Sequence, residues 1–457
     1  MKIAMKIAAL LLMSSAIAAS HVGAQNALAA LAPPEPLAPI TLQRARELAL
    51  SRSASLRGAQ LTVDSAALAA QAQGYAALPS IAASLGGAYD FSSSSAASPL
   101  SGAAEVAVSE TVFDGGKTSD LVKKYGYATE AAREELRATR VSLVGQSDSA
   151  YFAVLGAQAS VEAASSDLDA AKLRQTIAQA KIDAGSLSKS AFLQTEADTA
   201  GYETTLVLAK KTLASAKAKL ASLTGLPAST PLAPIDFSEY DGLLARLSSL
   251  DEAGIDRLAS DVAAIAKANS PTLSVDALSR EQARLGVAIA KKAYLPTVAA
   301  GFSQGLSYSQ GVANGPYQAA YPGSVSLTAS MSLDLWNTKN AVDSAAVASA
   351  QADMSASQGE TDLGLSLIQA LYEWISSAGS IGSAAKALEY AQSNYENVLE
   401  QFKLSSATTS DLSTAEAQVS EDRTALIAAR YGFLSDLSTL SGLAGLEDGS
   451  RLVALVP

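Results

Sequence analysis

The side chains that most often serve as nucleophiles, general bases and metal ligands are almost missing from this chain of 457 residues. It contains no cysteine, and its one histidine is His21. The sequence also has no P-loop, no dinucleotide-binding glycine signature and no HExxH motif. Because carboxylates are the abundant titratable groups that remain, a carboxylate-based hydrolase is the one enzymatic alternative. The sequence therefore predicts a protein that is not an enzyme and uses no cofactor or metal.

The charge balance argues against a nucleic-acid partner. The chain carries 33 Lys and Arg against 44 Asp and Glu, which gives a net charge of −11 and a pI near 4.8. Neutralising a phosphate backbone requires clustered basic side chains, which this chain lacks. Apolar residues make up 49% of the chain but aromatic residues only 5%. That composition indicates closely packed long helices rich in small side chains.

The first 24 residues have the layout of a secretory signal peptide. Lys2 and Lys6 precede an apolar run, and small residues follow it. We place the cleavage after Ala24, with Ala18 or Ala19 as alternatives, and an ordinary N-terminal helix is the structural alternative. Cleavage would remove the only histidine, so the mature chain would contain neither His nor Cys.

The chain contains an internal repeat at an offset of about 220 residues. Four segments of the first half recur in the same order in the second: Ser53–Leu56 as Ser270–Leu273, Leu78–Pro79 as Leu295–Pro296, 184–197 as 404–417, and Leu223–Leu226 as Leu440–Leu443. Chance similarity between two alanine-rich helical arrays is the alternative. The repeats divide the chain into an N-terminal extension (25–40), repeat 1 (41–226), a linker (227–255), repeat 2 (256–445) and a C-terminal tail (446–457).

Each half follows the order helix, two strands, long helix, return helix. The predicted helices are 41–77, 118–183 and 188–223 in the first half, and 256–293, 338–403 and 408–440 in the second. A continuous helix over 118–183 would be about 100 Å long. No compact domain core accommodates that length, so we expect an extended architecture.

Four segments between the helices change to a period of two, which predicts β-strands. They are 80–91 and 104–113 in a hairpin over 79–116, and 296–309 and 325–336 in a hairpin over 296–337. These lengths match a tilted strand that crosses a bilayer. One face of each is apolar, and the other carries Ser, Thr, Gly and Ala with an occasional acid, namely Asp90, Glu105 and Asp334. We expect these three acids to face a wet lumen.

A strand of a soluble sandwich also alternates, but a sandwich needs large residues on its inner face. Four strands cannot close a barrel alone, and open edges cannot lie in lipid, so the protein must oligomerise through its sheet. We expect the loops 92–102 and 310–324 to face outside. Aromatic residues flank the strands as an interfacial girdle would: Phe91, Tyr308 and Tyr321 on the loop side, Phe113 and Trp336 on the helix side.

The order of these motifs resembles the TolC family of outer-membrane efflux proteins over about residues 41 to 445. The motifs are Leu-Pro before a strand, Phe113–Gly116 (Phe-Asp-Gly-Gly), Ala150-Tyr151 on the long helix, Ala184-Gly185 at the helix tip, and Leu223–Leu226 (Leu-Thr-Gly-Leu). The second half departs from the pattern, because Leu335–Thr338 stands in place of the glycine pair.

The resemblance implies an α+β membrane protein in the cell outer membrane, spanning into the periplasm. Its fold would be a homotrimer with a 12-stranded transmembrane β-barrel, four strands per chain, continuing into a long periplasmic α-helical coiled-coil barrel. Its function would be passive export within a tripartite efflux or type I secretion system. The implied partners are a periplasmic adaptor (membrane fusion protein), an inner-membrane pump driven by ATP or protons, and outer-membrane lipid.

The resemblance also places functional residues at the helix tips. The first aspartate of the family's acidic entrance motif falls on Asp411, and the second position holds Thr414. Phe402 and Ala407 occupy the positions of the gating tyrosine and arginine. We therefore expect a weaker acidic ring, and a closed state that rests on packing of Phe402. The alternative for Asp411 is an acid favoured by the helix dipole.

Two further expectations concern contacts rather than transport. Tyr151 is expected to pack in the core or at a seam between helices. The helix tips, comprising Ala184, Gly185, Ser186, Leu187, Ser405, Ser406 and Ala407, are expected to contact the adaptor. A periplasmic coiled-coil adaptor or scaffold without a pore is the alternative function, but it explains the long helices and leaves the four strands unexplained.

Overall fold

Two long helical hairpins and one antiparallel sheet dominate the computed structural model, which describes residues 39–89, 100–310, 316–404 and 406–457. The predicted signal peptide, most of the 25–40 extension, Asp90, Phe91 and Ser405 lie outside the described residues. The chain divides into Met1–Pro39 and a unit from Ile40 to Pro457. The architecture below is that of the second unit.

The sheet contains β1 (Ser80–Tyr89), β2 (Leu100–Phe113), β3 (Thr297–Gln310), β4 (Tyr317–Ala320) and β5 (Gly323–Ser330). The helices of the first half are α1 (Leu42–Arg52), α2 (Ala54–Tyr75), α3 (Lys117–Asp183) and α4 (Lys189–Thr224). After the 3₁₀ turn Phe237–Tyr240 come α5 (Asp241–Ser248), α6 (Glu252–Asn269), α7 (Pro271–Lys292), α8 (Leu335–Lys403), α9 (Thr409–Leu443) and α10 (Ser450–Val453).

Neither of the two long helices contains a proline that would interrupt it. α3 has 67 residues and α8 has 69, so each extends for about 100 Å. Their predicted boundaries, and those of the return helices, are confirmed to within three residues. Among the described residues, no helix has both the length and the apolar character that a transmembrane helix requires.

The predicted helices 41–77 and 256–293 are each broken in two, so the prediction of continuous helices was wrong there. Ser53 ends α1 through its amide, which donates to Ala49 O at 3.1 Å, and its hydroxyl caps α2 by accepting from the amide of Leu56. At the second break Pro271 holds Ser270 in an extended conformation with ψ 119°.

The 227–255 segment is an ordered part of the core. It carries the 3₁₀ turn and α5, whose Leu243 and Leu247 are buried. Phe237 meets Tyr431 edge to face at 5.4 Å, and Trp374 stacks on Phe433 at 5.9 Å. The tail also folds back, since Arg246 donates to Val456 O at 2.6 Å. This core joins the middles of α3 and α8 to the second half of α9.

The strands pair in the order β1-β2-β3, and both β4 and β5 pair with β3, all antiparallel. β4 and β5 are separated by Tyr321-Pro322, where Pro322 O accepts from the amide of Gly305 at 2.7 Å. The sheet is open. Among the described residues, β1 pairs only with β2, and β4 and β5 pair only with β3.

The register places apolar and small residues on opposite faces. Ile81, Val108, Phe302 and Val325 form one row across the sheet, and Ala82, Ala107, Ser303 and Ser324 form the adjacent row on the other face. Ile81 is 74% exposed and Val325 is 85% exposed. A single chain therefore leaves its apolar face uncovered.

Three features of the strands differ from the prediction. β2 begins at Leu100, and β4 lies within the segment predicted as a loop over 310–324, since Tyr317–Ala320 pair with Ser307–Gln310. The fourth strand ends at Ser330 rather than Trp336, which belongs to α8.

Candidate functional site

Asp114 organises the first junction between sheet and helix. Its carboxylate accepts from the amides of Gly116 at 2.8 Å and Thr118 at 2.6 Å. Gly115 and Gly116 have φ of +69° and +78°, a left-handed conformation that favours glycine. Lys292 fastens α7 to this turn by donating to Gly116 O at 2.8 Å.

The second junction uses an aspartate in place of the glycines. Asp334 accepts from the backbone amide of Asn337 at 3.2 Å and from its side-chain amide at 2.6 Å, and so caps α8. The prediction that Asp334 lies in a barrel strand was wrong, because Ser330 ends β5 and Asp334 is held by the helix.

The small-residue face of the sheet carries paired hydroxyls. Ser80 and Ser109 lie 2.8 Å apart, and Ser303 and Ser324 lie 3.0 Å apart. Glu105 stands on this face opposite Ser84 and Gly305. That Glu105 faces a lumen stays a prediction, and Asp90 lies outside the described residues.

The tip between α3 and α4 is a Schellman turn. Gly185, with φ +69°, donates to Ile182 O at 2.9 Å, and Ser186 donates to Lys181 O at 2.9 Å. Ala184, Gly185 and Ser186 are exposed and Leu187 is half-buried. The predicted position of Gly185 just after the end of the helix is confirmed.

The tip between α8 and α9 has the corresponding long-range bond without a glycine. The amide of Ser406 donates to Gln401 O at 2.9 Å, and its hydroxyl donates to the same oxygen at 3.0 Å. Ser406 is exposed and Ala407 is half-buried, whereas Ser405 is outside the described residues.

Asp411 takes part in a capping box at the start of α9. Its carboxylate accepts from the amide of Thr408 at 2.9 Å and from its hydroxyl at 2.7 Å, while its own amide donates to Thr408 Oγ1 at 3.2 Å. The hydrogen bonds from Thr408 lower the pKa of this exposed acid. These contacts support the capping alternative, and an entrance ring at Asp411 stays a prediction. Thr414 is exposed and bonds to Ser410 O at 2.8 Å.

Phe402 is buried within the chain, with 1% of its surface exposed. The ammonium group of Lys181 lies 4.1 Å from the centre of its ring and also donates to Phe402 O. These contacts hold the C-terminal end of α8 against the C-terminal end of α3. Its role in a closed state stays a prediction.

A buried ionic cluster joins the hairpins about ten residues from the tips. The side chain of Arg174 on α3 is 0% exposed; its Nη1 lies 2.8 Å from Glu416 Oε2 on α9, and its Nη2 lies 3.3 Å from Asp198 Oδ2 on α4. Ser413 donates to Asp198 at 2.9 Å. Beside the cluster, Arg423 pairs with Asp167.

The two central charges of this cluster are incompletely satisfied. Neither carboxylate oxygen of Glu416 and none of the nitrogens of Arg174 forms a well-oriented hydrogen bond with a described residue. Burial raises the pKa of Glu416 to about 7, against the opposing effect of Arg174. Glu416 also lines a cavity of about 380 Å³ between the hairpins.

A second buried ion pair lies near the middle of α3. Arg46 donates to Asp148 through Nε at 2.6 Å and Nη2 at 2.7 Å, and Ser438 donates to the same carboxylate at 2.9 Å. The Tyr151 hydroxyl lies 2.9 Å from Ile40 O and 2.7 Å from Ala233 O. The predicted packing role of Tyr151 is confirmed, since its side chain belongs to the core.

The described part of the chain places no group of three or more His, Cys, Asp or Glu side chains where they could hold a metal ion.

The sequence matches the profile of a known protein family, described as outer membrane efflux protein, over residues 45–226 and 262–446. These two segments make up more than half of the chain. The chain belongs to the outer membrane efflux protein family. No curated protein sequence matches it.

Solved structures of outer-membrane channels share the fold of this family member. The CmeC channel of Campylobacter jejuni superimposes with a TM-score of 0.72 at 15% identity, covering 91% of this chain and 90% of that one. VceC of Vibrio cholerae gives a TM-score of 0.69 at 18% identity, with 90% and 97% covered. The open MtrE channel of Neisseria gonorrhoeae gives 0.68 at 18%, with 90% of each covered.

Sequence reasoning missed both buried ion pairs of this outer membrane efflux protein. Arg174, Glu416, Arg46 and Asp148 stand on long helices at spacings that a solvated charged face would also show. No local pattern in the sequence distinguishes these four residues from charges on a solvated helix face.

Proposed function

We propose that three copies of this chain assemble into the outer-membrane channel of a tripartite efflux or type I secretion system. Family membership and the shared fold support an efflux channel in the outer membrane. The proposed trimer would close a 12-stranded barrel from three open sheets and continue it as a tunnel of helices. The conduit would be passive, with the energy supplied by an inner-membrane pump through a periplasmic adaptor.

The observation that carries the proposal is the open sheet with one uncovered apolar face. The unpaired backbone groups at the outer edges of β1, β4 and β5 cannot remain in lipid. Joining three sheets edge to edge would give these groups hydrogen-bond partners. The exposed rows, of which Leu85 is 88% exposed, would then face lipid. An adaptor or scaffold without a pore would have no use for such a face.

We also propose that the two halves of the sequence are structural repeats of one architecture. Ser53 and Ser270 each end one helix and begin the next, and Thr224 and Ser441 each bond back to the carbonyl four residues before them. These pairs, 217 residues apart in both cases, support two structural repeats. The proposed domain boundaries remain those predicted from the sequence.

The test combines molecular mass with a matched pair of variants. The purified protein should be a trimer by light scattering corrected for bound detergent, and should conduct ions in planar bilayers. Leu85→Lys should lower the amount assembled in the outer membrane, because a lysine facing lipid costs about 2–4 kcal/mol at mid-depth. Ser84→Lys, on the opposite face, should assemble normally. A monodisperse monomer, or equal loss in both variants, would contradict the proposal.

A further inference from the structure

The cavity near the helix tips is built by four helices. α3 contributes Asp167, α4 contributes Tyr202, α8 contributes Tyr395 and α9 contributes Glu416. Its volume of about 380 Å³ exceeds that of a single ring with a short chain. Glu396 and Ser166 are exposed at its mouth, whereas Glu416 is buried in its wall.

Acidic groups outnumber basic groups in and beside this cavity. Arg423 is paired with Asp167, and the one guanidinium of Arg174 is shared between Asp198 and Glu416. Glu396 adds a further carboxylate at the mouth. The excess of negative charge favours a cationic occupant.

Glu416 supplies the specific observation that points to a ligand. Its side chain is only 5% exposed and lines the cavity. Its Oε2 lies 2.8 Å from Arg174, but neither of its carboxylate oxygens accepts a hydrogen bond from a described residue. Because a buried carboxylate oxygen without a donor is unfavourable, a ligand N–H at this place would be stabilising.

The remaining walls suit an apolar body attached to that cation. Tyr202 and Tyr395 are half-buried, and Ala170, Val419 and Gln392 also line the cavity. Aromatic rings attract cations and pack against apolar groups.

We propose that the cavity between the two hairpins binds a small organic cation, a protonated amine on an apolar or aromatic body, with Glu416 as the counter-ion. The cavity lies within one chain, so binding there would not require the chain to form a pore. A bound amine would contact both hairpins at once.

The affinity of the cavity for an amine should increase with pH. Burial raises the pKa of Glu416 to about 7, so the carboxylate that attracts the amine is charged above that pH and neutral below it. The groups that face Glu416 from the packed helices are Asp167 and Arg174 on α3, Asp198 and Tyr202 on α4, Tyr395 and Glu396 on α8, and Arg423 on α9. Affinity should therefore rise from pH 6 to pH 8.

The experiment uses the detergent-purified full-length protein with benzylamine as the probe and benzyl alcohol and benzoate as its neutral and anionic counterparts. Calorimetric titration at pH 8 should show saturable binding of benzylamine alone. Glu416→Gln should weaken it about tenfold or more and abolish the difference between pH 6 and pH 8, because it removes the charge with which the amine would pair. Glu421→Gln, an exposed acid on the same helix, is the matched charge control and should bind as the parent does.

Ser166→Trp provides a second test that leaves the buried cluster intact. It places a large side chain at the exposed mouth and should abolish binding even where Glu416→Gln fails to fold. Binding of benzyl alcohol equal to that of benzylamine, binding unchanged in Ser166→Trp, or no saturable binding at all would overturn the proposal. The last result would mean that the cavity holds water only.

Discussion

Asp411 stands at the start of α9, where two roles are open to one carboxylate. The capping box with Thr408 uses the side chain locally, and hydrogen bonding to it lowers the pKa of Asp411, so the acid stays charged at neutral pH. A charged cap still attracts cations if three copies converge on one axis. Capping and ion selectivity are therefore compatible, and different substitutions separate them.

Asp411→Asn should lower cation selectivity and block by multivalent cations in planar-bilayer recordings, because it removes the charge and keeps an acceptor for Thr408. The stability of the proposed trimer should stay nearly unchanged. Thr408→Val should do the reverse: it breaks the capping box, increases hydrogen exchange at the start of α9 and leaves selectivity intact. If Asp411→Asn conducts as the parent does, the entrance is governed elsewhere, and Phe402 is the next residue to test.

The Arg46–Asp148 pair makes a separate prediction about stability. Arg46→Met should lower the free energy of unfolding by about 3 kcal/mol, because it leaves the buried Asp148 without its cation. The double variant with Asp148→Leu should recover much of that loss. Arg44→Met is the control: Arg44 pairs with Glu47 on the exposed side of the same helix, and its loss should cost less than about 1 kcal/mol. Urea unfolding in detergent measures all three, and equal effects of Arg46→Met and Arg44→Met would contradict the prediction.

At the scale of elements, the sequence predicts what depends on local periodicity. The absence of proline over 118–183 and the alternation over 80–89 were sufficient to predict a long helix and a strand that the structure contains. Ser53 gave no comparable signal, because a serine that caps a helix resembles one on a helix surface until its neighbours are known. Tyr317–Ala320 was missed for a related reason: its pairing with Ser307–Gln310 is set by register across a hairpin.

Contacts between distant elements were the least predictable part of the candidate site. Asp411 and Gly185 belong to local turns, and their positions follow from short-range pattern. Arg174 and Glu416 are 242 residues apart in sequence and meet only because α3 and α9 pack together. Their pairing depends on tertiary packing, which no local period encodes.

The helix tips make a prediction about turn chemistry. Gly185→Ala should destabilise the last turn of α3 by about 1–2 kcal/mol, because a side chain at φ +69° crowds the following carbonyl. Gly201→Ala, in the interior of α4 where an added methyl group meets nothing within 4 Å, should instead stabilise that helix by about 0.5–1 kcal/mol. Hydrogen exchange at the two sites measures both changes, and a shared sign would contradict the assignment of Gly185.

At the scale of the whole molecule, antiparallel pairing decides which end of the sheet meets the helices. The paired residues Ser80, Ser109, Gly301 and Ser326 form one row across the sheet. At this row or close to it, β1 and β3 begin and β2 and β5 end. All four connections to helices therefore leave from one end, and the strand ends Tyr89, Leu100, Gln310 and Tyr317 lie toward the other. If the helices extend into the periplasm, the loops must face outside.

Labelling with an impermeant thiol reagent tests this orientation. Because the native chain contains no cysteine, only the introduced cysteine can react. Ser94→Cys and Asn314→Cys, at loop positions outside the described residues, should react on intact cells. Lys189→Cys, at the exposed start of α4 near the tip, should react only after the outer membrane is permeabilised. Labelling of Lys189→Cys on intact cells, with none at the two loops, would reverse the orientation. It would also place the hairpin end of the sheet, rather than the helix tips, on the side where the proposed adaptor could bind.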